Sequence, residues 1–309
     1  MDRKFGVALS QTAIAAALWG TSFPVITVGL EGGLNPVSFL FYRLALAVPV
    51  MLGAAALAGK KVLPLMRSRA VWIIGFTNAV AFLCQFVGQE YTSASVAALL
   101  VNLSVVVAAV GGALFLGERV GAVKAAGVAA ALAGTVLVTT NGSLQGIGGG
   151  RLLGDLLYLI AAASWGGYIV YAKKKTDELQ WDPFSLAVCV VVVSALLVLP
   201  VALVLGSAPP VGLTPLLAVA YTAVFNTAIP YVLYQQGLKR LSAVVSAVVL
   251  TLEIVVALAV SAVFLGESLT AFAWSGALLI LASIVMVSAT GTGRAAGLQH
   301  GPHQERRPA

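Results

Sequence analysis

The stretch "LFLGER" at Leu114–Arg119 recurs as "VFLGES" at Val263–Ser268, 149 residues later, and each copy closes a long apolar run. At that offset residues 88–138 align with 237–287 without a gap. The shared positions include Gly88/Gly237, Ser93/Ser242, the Phe-Leu-Gly-Glu itself and Gly127/Gly276. Glycines and polar positions held in common raise the match above what two Ala/Val-rich segments share by composition. The two halves also open alike, with "ALWGTSF" from Ala17 and "ASWGGYI" from Ala163. The chain is therefore expected to be a duplication: 1–140, a Gly-rich linker 141–152, a second unit 153–290, and a polar tail 291–309 expected to be disordered and cytoplasmic.

Each half is built for a bilayer. Sixty per cent of the residues are hydrophobic and nine per cent charged, against about a quarter charged in soluble domains. A mean hydropathy of +1.00 leaves too little polar surface for a water-facing globule. Runs of about 20 apolar residues mark spanning helices, and ten occur, at roughly 8–30, 36–58, 70–89, 95–115, 121–140, 153–172, 184–205, 214–236, 243–265 and 271–289. The runs are continuous rather than alternating, which favours helices over a barrel. Asn35-Pro36, Asp182-Pro183, Pro209-Pro210 and "NGSLQGIGGGR" at Asn141–Arg151 supply the breaks between them. The first run resembles a signal peptide at its start but continues to Leu30, long enough for an uncleaved first helix. Cys84 and Cys189 lie in apolar runs, so neither a disulfide framework nor a metal site is indicated.

The net charge of +7 reads as membrane orientation, not as a nucleic-acid surface. With the N-terminus inside, 16 of the 18 Lys and Arg residues fall on cytoplasmic segments, Arg151 lies outside and Arg43 lies within a span. Ten helices then place both termini in the cytoplasm. Five helices per half is an odd number, so the second half enters from the opposite side. The fold expected is an all-α integral membrane protein of ten transmembrane helices, arranged as two inverted five-helix repeats. That arrangement is common among secondary transporters, with the site at the repeat interface.

Trp-Gly-Thr-Ser-Phe in the first helix, an Arg in the second, and Leu-Gly-Glu closing the fourth and ninth resemble the EamA type of the drug/metabolite transporter superfamily, over nearly the whole chain. The resemblance implies ten helices in two inverted repeats, a central cavity and secondary transport, often export, of small metabolites. At Glu253 the chain matches the family's Glu-Pro pattern, but Ile254 stands where proline is common. Its first-half counterpart, "NLSVVV" from Asn102, also lacks proline, which puts a proline kink there in question.

The repeated motif itself reads as structural. Gly117 and Gly266 suit left-handed helix ends, and Glu118 and Glu267 suit the positive start of the helix that follows each. Arg43 and Glu253 are the two ionisable residues well inside spans. Each costs about 2.5–3.5 kcal/mol at a helix centre, which makes each a functional candidate. Counted from the helix ends, Glu253 lies about 15 Å deep and Arg43 about 10 Å. Two readings stay open. Glu253 pairs with Arg43, or it stands alone and carries a coupling proton. Trp19 and Trp165, at equivalent positions and each followed by Gly, are candidates to line a cavity. Asn78, Gln85, Asn102, Tyr168, Asn226 and Tyr231, with Tyr234 and Gln235, are further candidates, weighed against ordinary interhelical hydrogen bonding and interface belts.

No catalytic, cofactor or metal site is expected. No G-x4-G-K-[ST] motif provides for ATP, and no histidine lies in the core. The partners expected are a small-molecule substrate, membrane lipids and, if Glu253 titrates, a proton. The sequence thus supports a plasma-membrane secondary transporter working by alternating access, with efflux of an amino-acid-like or other polar compound as the first reading. Metabolite uptake, or a non-transporting scaffold or lipid-binding protein, are the alternatives.

Overall fold

A computed structural model describes residues 2–92, 94–141, 152–205, 209–264 and 269–291. Most of the glycine-rich linker, Gly266, Glu267 and nearly all of the tail lie outside the described residues. Among the described residues there are ten membrane-length apolar helices and no strand. They are α1 (Arg3–Glu31), α2 (Pro36–Leu57), α3 (Arg69–Gly88), α4 (Val96–Leu116), α5 (Ala122–Thr140), α6 (Leu152–Leu179), α7 (Pro183–Val204), α8 (Leu213–Leu238), α9 (Ala243–Phe264) and α10 (Ala271–Thr290).

Local chemistry explains where they start. Asn35 and Asp182 each precede a proline at the first helical position, and each side chain accepts from the backbone N–H three residues on, at 2.7 Å from Ser38 and 2.9 Å from Ser185. Proline at that position loses no helical bond, and an Asx cap satisfies an otherwise orphaned donor. Asp182 also accepts from Lys60 Nζ at 2.8 Å. Burial pushes its carboxyl up, but the bonds from Lys60 and Ser185 outweigh that and hold it below its ordinary value.

Three helices break in mid-span, α4 and α9 without a proline and α1 three residues before Pro24. The backbone of α1 is interrupted at Thr21, of α4 at Asn102–Leu103 and of α9 at Thr251. Thr21 Oγ1 donates to Leu18 O at 2.7 Å, Asn102 Nδ2 to Ala98 O at 2.8 Å and Thr251 Oγ1 to Val248 O at 2.6 Å. Short polar side chains compete for the carbonyls of the preceding turn and bend helices in this way. The α4 and α9 breaks occupy equivalent places, so the missing prolines do not leave these helices straight.

The packing maps onto itself when the halves are exchanged. Helix α1 packs against α8 and α9, and α6 against α3 and α4, while α2 meets α7 and α5 meets α10. Glycines set the closest approaches. A Cβ on Gly20 would lie 2.5 Å from Glu253 O and 2.8 Å from Val256. One on Gly166 would lie 3.0 Å from Ser104 O and 2.4 Å from Val107, the equivalent pair in the other half. Where α5 crosses α10, Gly134 and Gly276 face each other's carbonyl oxygens so closely that a Cβ on either would sit within 2.7 Å. Small residues at such crossings let backbones approach closely where lipid supplies no hydrophobic drive.

Candidate functional site

The centre of the bundle is organised by a proline on α8. Pro230 has no N–H, so the carbonyl of Asn226, four residues earlier, has no helical donor. The helix widens into a π turn over Val224–Ala228, a distortion frequent at functional sites. The freed Asn226 O accepts from two other helices, from Trp19 Nε1 at 2.9 Å and from Arg43 Nη2 at 2.6 Å. Arg43 Nε donates to Thr227 Oγ1 at 2.7 Å, and its guanidinium lies 5.4 Å from the centre of the Phe82 ring. Asn226 Nδ2 in turn donates to Leu18 O and to Thr21 Oγ1 at the α1 break. Arg43 is only 2% exposed. Its charge is held by protein dipoles and an aromatic face, not by snorkelling to a headgroup.

Around this junction the aromatic residues meet in equivalent pairs. Trp19 contacts Tyr231 and Tyr234, with centroids 5.6 Å apart in each case. Trp165 contacts Phe82 at 5.0 Å, and its Nε1 donates to Gln85 Oε1 at 3.2 Å. Tyr231 and Phe82 are 149 residues apart, as are Tyr234 and Gln85, so each tryptophan meets the same two positions of the opposite half. Phe82 to Tyr231 at 6.5 Å, Trp165 to Tyr168 at 5.9 Å and Tyr168 to Tyr234 at 6.2 Å close the cluster. Tyr168, Tyr231, Tyr234 and Gln235 are all at most 2% exposed.

Polar groups thread the cluster. Tyr231 OH donates to Asn78 Oδ1 at 2.7 Å, and Asn78 Nδ2 to Ser194 Oγ at 2.8 Å. Gln235 Nε2 donates to Tyr168 OH at 2.7 Å. Three buried atoms here have no partner: Asn226 Oδ1, Tyr234 OH and Gln235 Oε1. Each unmade bond costs about 1–3 kcal/mol, so the three leave hydrogen-bonding capacity unused within one cluster.

Eight of the ten sequence candidates thus come together: Trp19, Arg43, Asn78, Gln85, Trp165, Tyr168, Asn226 and Tyr231. Asn102 does not join them and bonds its own helix at the α4 break. Glu253 starts the second segment of α9, beside Gly20 and one residue from Trp19 on α1. Its carboxylate makes no ion pair with Arg43, whose bonds go to Thr227 and Asn226. Gly117 ends α4 at φ +62°, in the left-handed region. The Glu118 carboxylate reaches past the following helix and caps α9 of the other half, accepting from Ala243 N at 2.6 Å and Val244 N at 3.4 Å.

A model of the EamA-like transporter family matches the chain twice, over residues 6–140 and 152–289. The chain belongs to the EamA-like transporter family. A transporter of Archaeoglobus fulgidus is 30% identical over 74% of this chain and 78% of its own. A probable terminal-alkyne amino-acid exporter of Streptantibioticus cattleyicolor is 28% identical over 94% and 96%. A probable amino-acid metabolite efflux pump of Salmonella typhimurium is 30% identical over 92% and 94%. One crystal structure, 19% identical, superposes with a TM-score of 0.80 over 93% of this chain and 98% of its own, which shows the shared fold. Membership of a transporter family implies a small-molecule substrate and a lipid environment.

Sequence reading missed Phe82 and Thr227, which position Arg43. Phe82 reads as one more apolar core residue. Thr227 had a signal, since it lies in the turn that Pro230 strips of a helical bond.

Proposed function

We propose that this EamA-family chain is a secondary active exporter of small zwitterionic, amino-acid-like metabolites, alternating access to the Trp19–Trp165 centre between two inverted halves. The observation that carries this reading is the set of unpartnered polar atoms beside a buried Arg43. A zwitterion supplies what each lacks. Its carboxylate suits the guanidinium and the Tyr234 hydroxyl, and its ammonium suits Asn226 Oδ1 and Gln235 Oε1. The exchange-symmetric packing of the two tryptophans supports a centre that either half can open. The names of the two relatives from Streptantibioticus cattleyicolor and Salmonella typhimurium favour export. Glu253, whose backbone carbonyl meets Gly20 and whose carboxylate has no partner among the described residues, is the candidate coupling group.

Tyr234→Phe tests the site without removing any bond of the protein. The KM for substrate should rise about tenfold, the value of one unmade bond in a buried site, while maximal rate and abundance stay near wild type. An unchanged KM would remove Tyr234 from the site and with it the zwitterion geometry.

The charge distribution supports the reading that both termini of this plasma-membrane protein lie in the cytoplasm. In a variant lacking Cys84 and Cys189, a cysteine at Glu90 should react with an impermeant thiol reagent in intact cells, and one at Lys61 should not. The reverse pattern would invert the topology.

A further inference from the structure

We propose that a basic cavity at the end of the bundle where α1 begins binds a phosphate-bearing anion. The cavity, of about 490 Å³, lies between the start of α1, the start of α7 and the end of α8. Arg3, Lys4, Lys239 and Arg240 line it, with Gln11 and Gln236 between them, and no carboxylate does. Its volume is that of a small-molecule pocket. Gln11 Nε2 donates to Gln236 Oε1 at 2.7 Å, which holds the two amides against each other.

Cations at this end of the molecule are expected from topology, but these four converge on one cavity. Lys60, Lys173 and Lys175 are each paired, with Asp182, Asp177 and Glu178. None of the four cavity cations forms an ion pair among the described residues. Lys239 and Arg240 follow the end of α8, where a helix dipole favours positive charge. Arg3 and Lys4 occupy the first turn of α1, where the same dipole opposes it. Of the acids close in chain or space, Asp2 turns to cap Lys4 N at 3.2 Å, Asp182 pairs with Lys60 and Asp177 with Lys173, and none lines the cavity. An anion between the four would relieve their mutual repulsion and complement the α1 N-terminus.

Arginine forks match phosphate oxygens in pairs, and lysines add point charge. Val7, 51% exposed, gives the cavity an apolar side. Phosphate on a lipid headgroup and phosphate on a soluble metabolite share this chemistry. The position at the membrane boundary suits the headgroup.

The test uses the full chain purified in a neutral detergent, with the thermal midpoint read during titration of dioctanoyl phosphatidylglycerol, dioctanoyl phosphatidylcholine and inorganic phosphate. The anionic probe should raise the midpoint and phosphatidylcholine should not. Lys4→Gln/Arg240→Gln should weaken the apparent affinity at least about tenfold, given the contribution of each basic residue at an anionic surface. Lys61→Gln/Arg67→Gln, which loses the same charge at the same end, should bind as wild type. Gln236→Glu, which sets a carboxylate in the cavity, should weaken binding like the first pair and serves if that pair does not fold. A response to phosphatidylglycerol alone assigns the headgroup, and a response to inorganic phosphate assigns a soluble anion. No response to either anion, or equal losses in the cavity and control variants, would overturn the proposal.

Discussion

Arg43→Met is expected to reduce transport efficiency about 100-fold while changing stability little. The two effects separate on magnitude. The substitution removes two charge-assisted hydrogen bonds, each worth about 1.5–3 kcal/mol. It also removes an insertion cost of about 2.5–3.5 kcal/mol for a charge at membrane depth, so the terms largely cancel in folding. In substrate binding nothing offsets the loss of the guanidinium that a carboxylate would meet, and one charge-assisted bond corresponds to a factor of about 10–150. Arg43→Lys should rescue only in part. A single ammonium cannot serve Thr227 Oγ1 and Asn226 O with the two-nitrogen geometry of arginine. Initial rates of exchange in proteoliposomes, normalised to inserted protein, give the comparison. A methionine variant within a few-fold of wild type would leave Arg43 as a packing residue.

Glu253→Gln should abolish accumulation driven by a pH gradient while substrate exchange continues. Glutamine keeps the size and most of the hydrogen-bonding capacity of the side chain but carries no titratable proton. If Glu253 were the counter-ion of Arg43, the substitution would strand a buried guanidinium at a cost of about 3–5 kcal/mol and empty the membrane of folded protein. Arg43 is bonded to Thr227 and Asn226 instead, so normal abundance is expected. The equivalent residue of the first half is Ser104, which makes any proton step a property of one half only. Uphill, pH-driven transport at wild-type rates in Glu253→Gln would refute the proton-carrier role.

Helix number and span positions were legible because a bilayer imposes its thickness on the sequence. The offset between the two Phe-Leu-Gly-Glu copies also leads to the packing. At that offset the partners of Trp19 and Trp165, and those of Gly20 and Gly166, are equivalent positions, while the tryptophans and glycines themselves follow from the matched openings of the two halves. What sequence could not place was direction. Glu118 lies three residues before Gly121, where the next helix begins, yet its carboxylate caps α9 of the other half. Adjacency along the chain is a poor guide once helices cross. The breaks in α4 and α9 escaped a reading tied to proline because Asn102 and Thr251 bend their helices through side-chain bonds to the preceding turn. The site was half legible. Tryptophans, Arg43 and Asn226 stood out as polar or aromatic groups at depth. Phe82 did not, since in sequence nothing distinguishes it from other core phenylalanines; its contacts with Arg43, Trp165 and Tyr231 appear only in the fold.

The central claim is that the junction of Trp19, Arg43, Asn226 and Tyr234 binds an amino-acid-like zwitterion and passes it across the membrane. Counterflow tests it most directly. Proteoliposomes loaded with a pool of unlabelled neutral amino acids and diluted into trace labelled amino acid should show transient uptake of label above equilibrium, with no ATP and no ion gradient. Uptake should be blocked by excess external zwitterion, not by the corresponding amine or carboxylic acid alone, and it should be lost in Arg43→Met. Counterflow of the decarboxylated amine at the same rate as the zwitterion, or equal counterflow in Arg43→Met and wild type, would contradict the account.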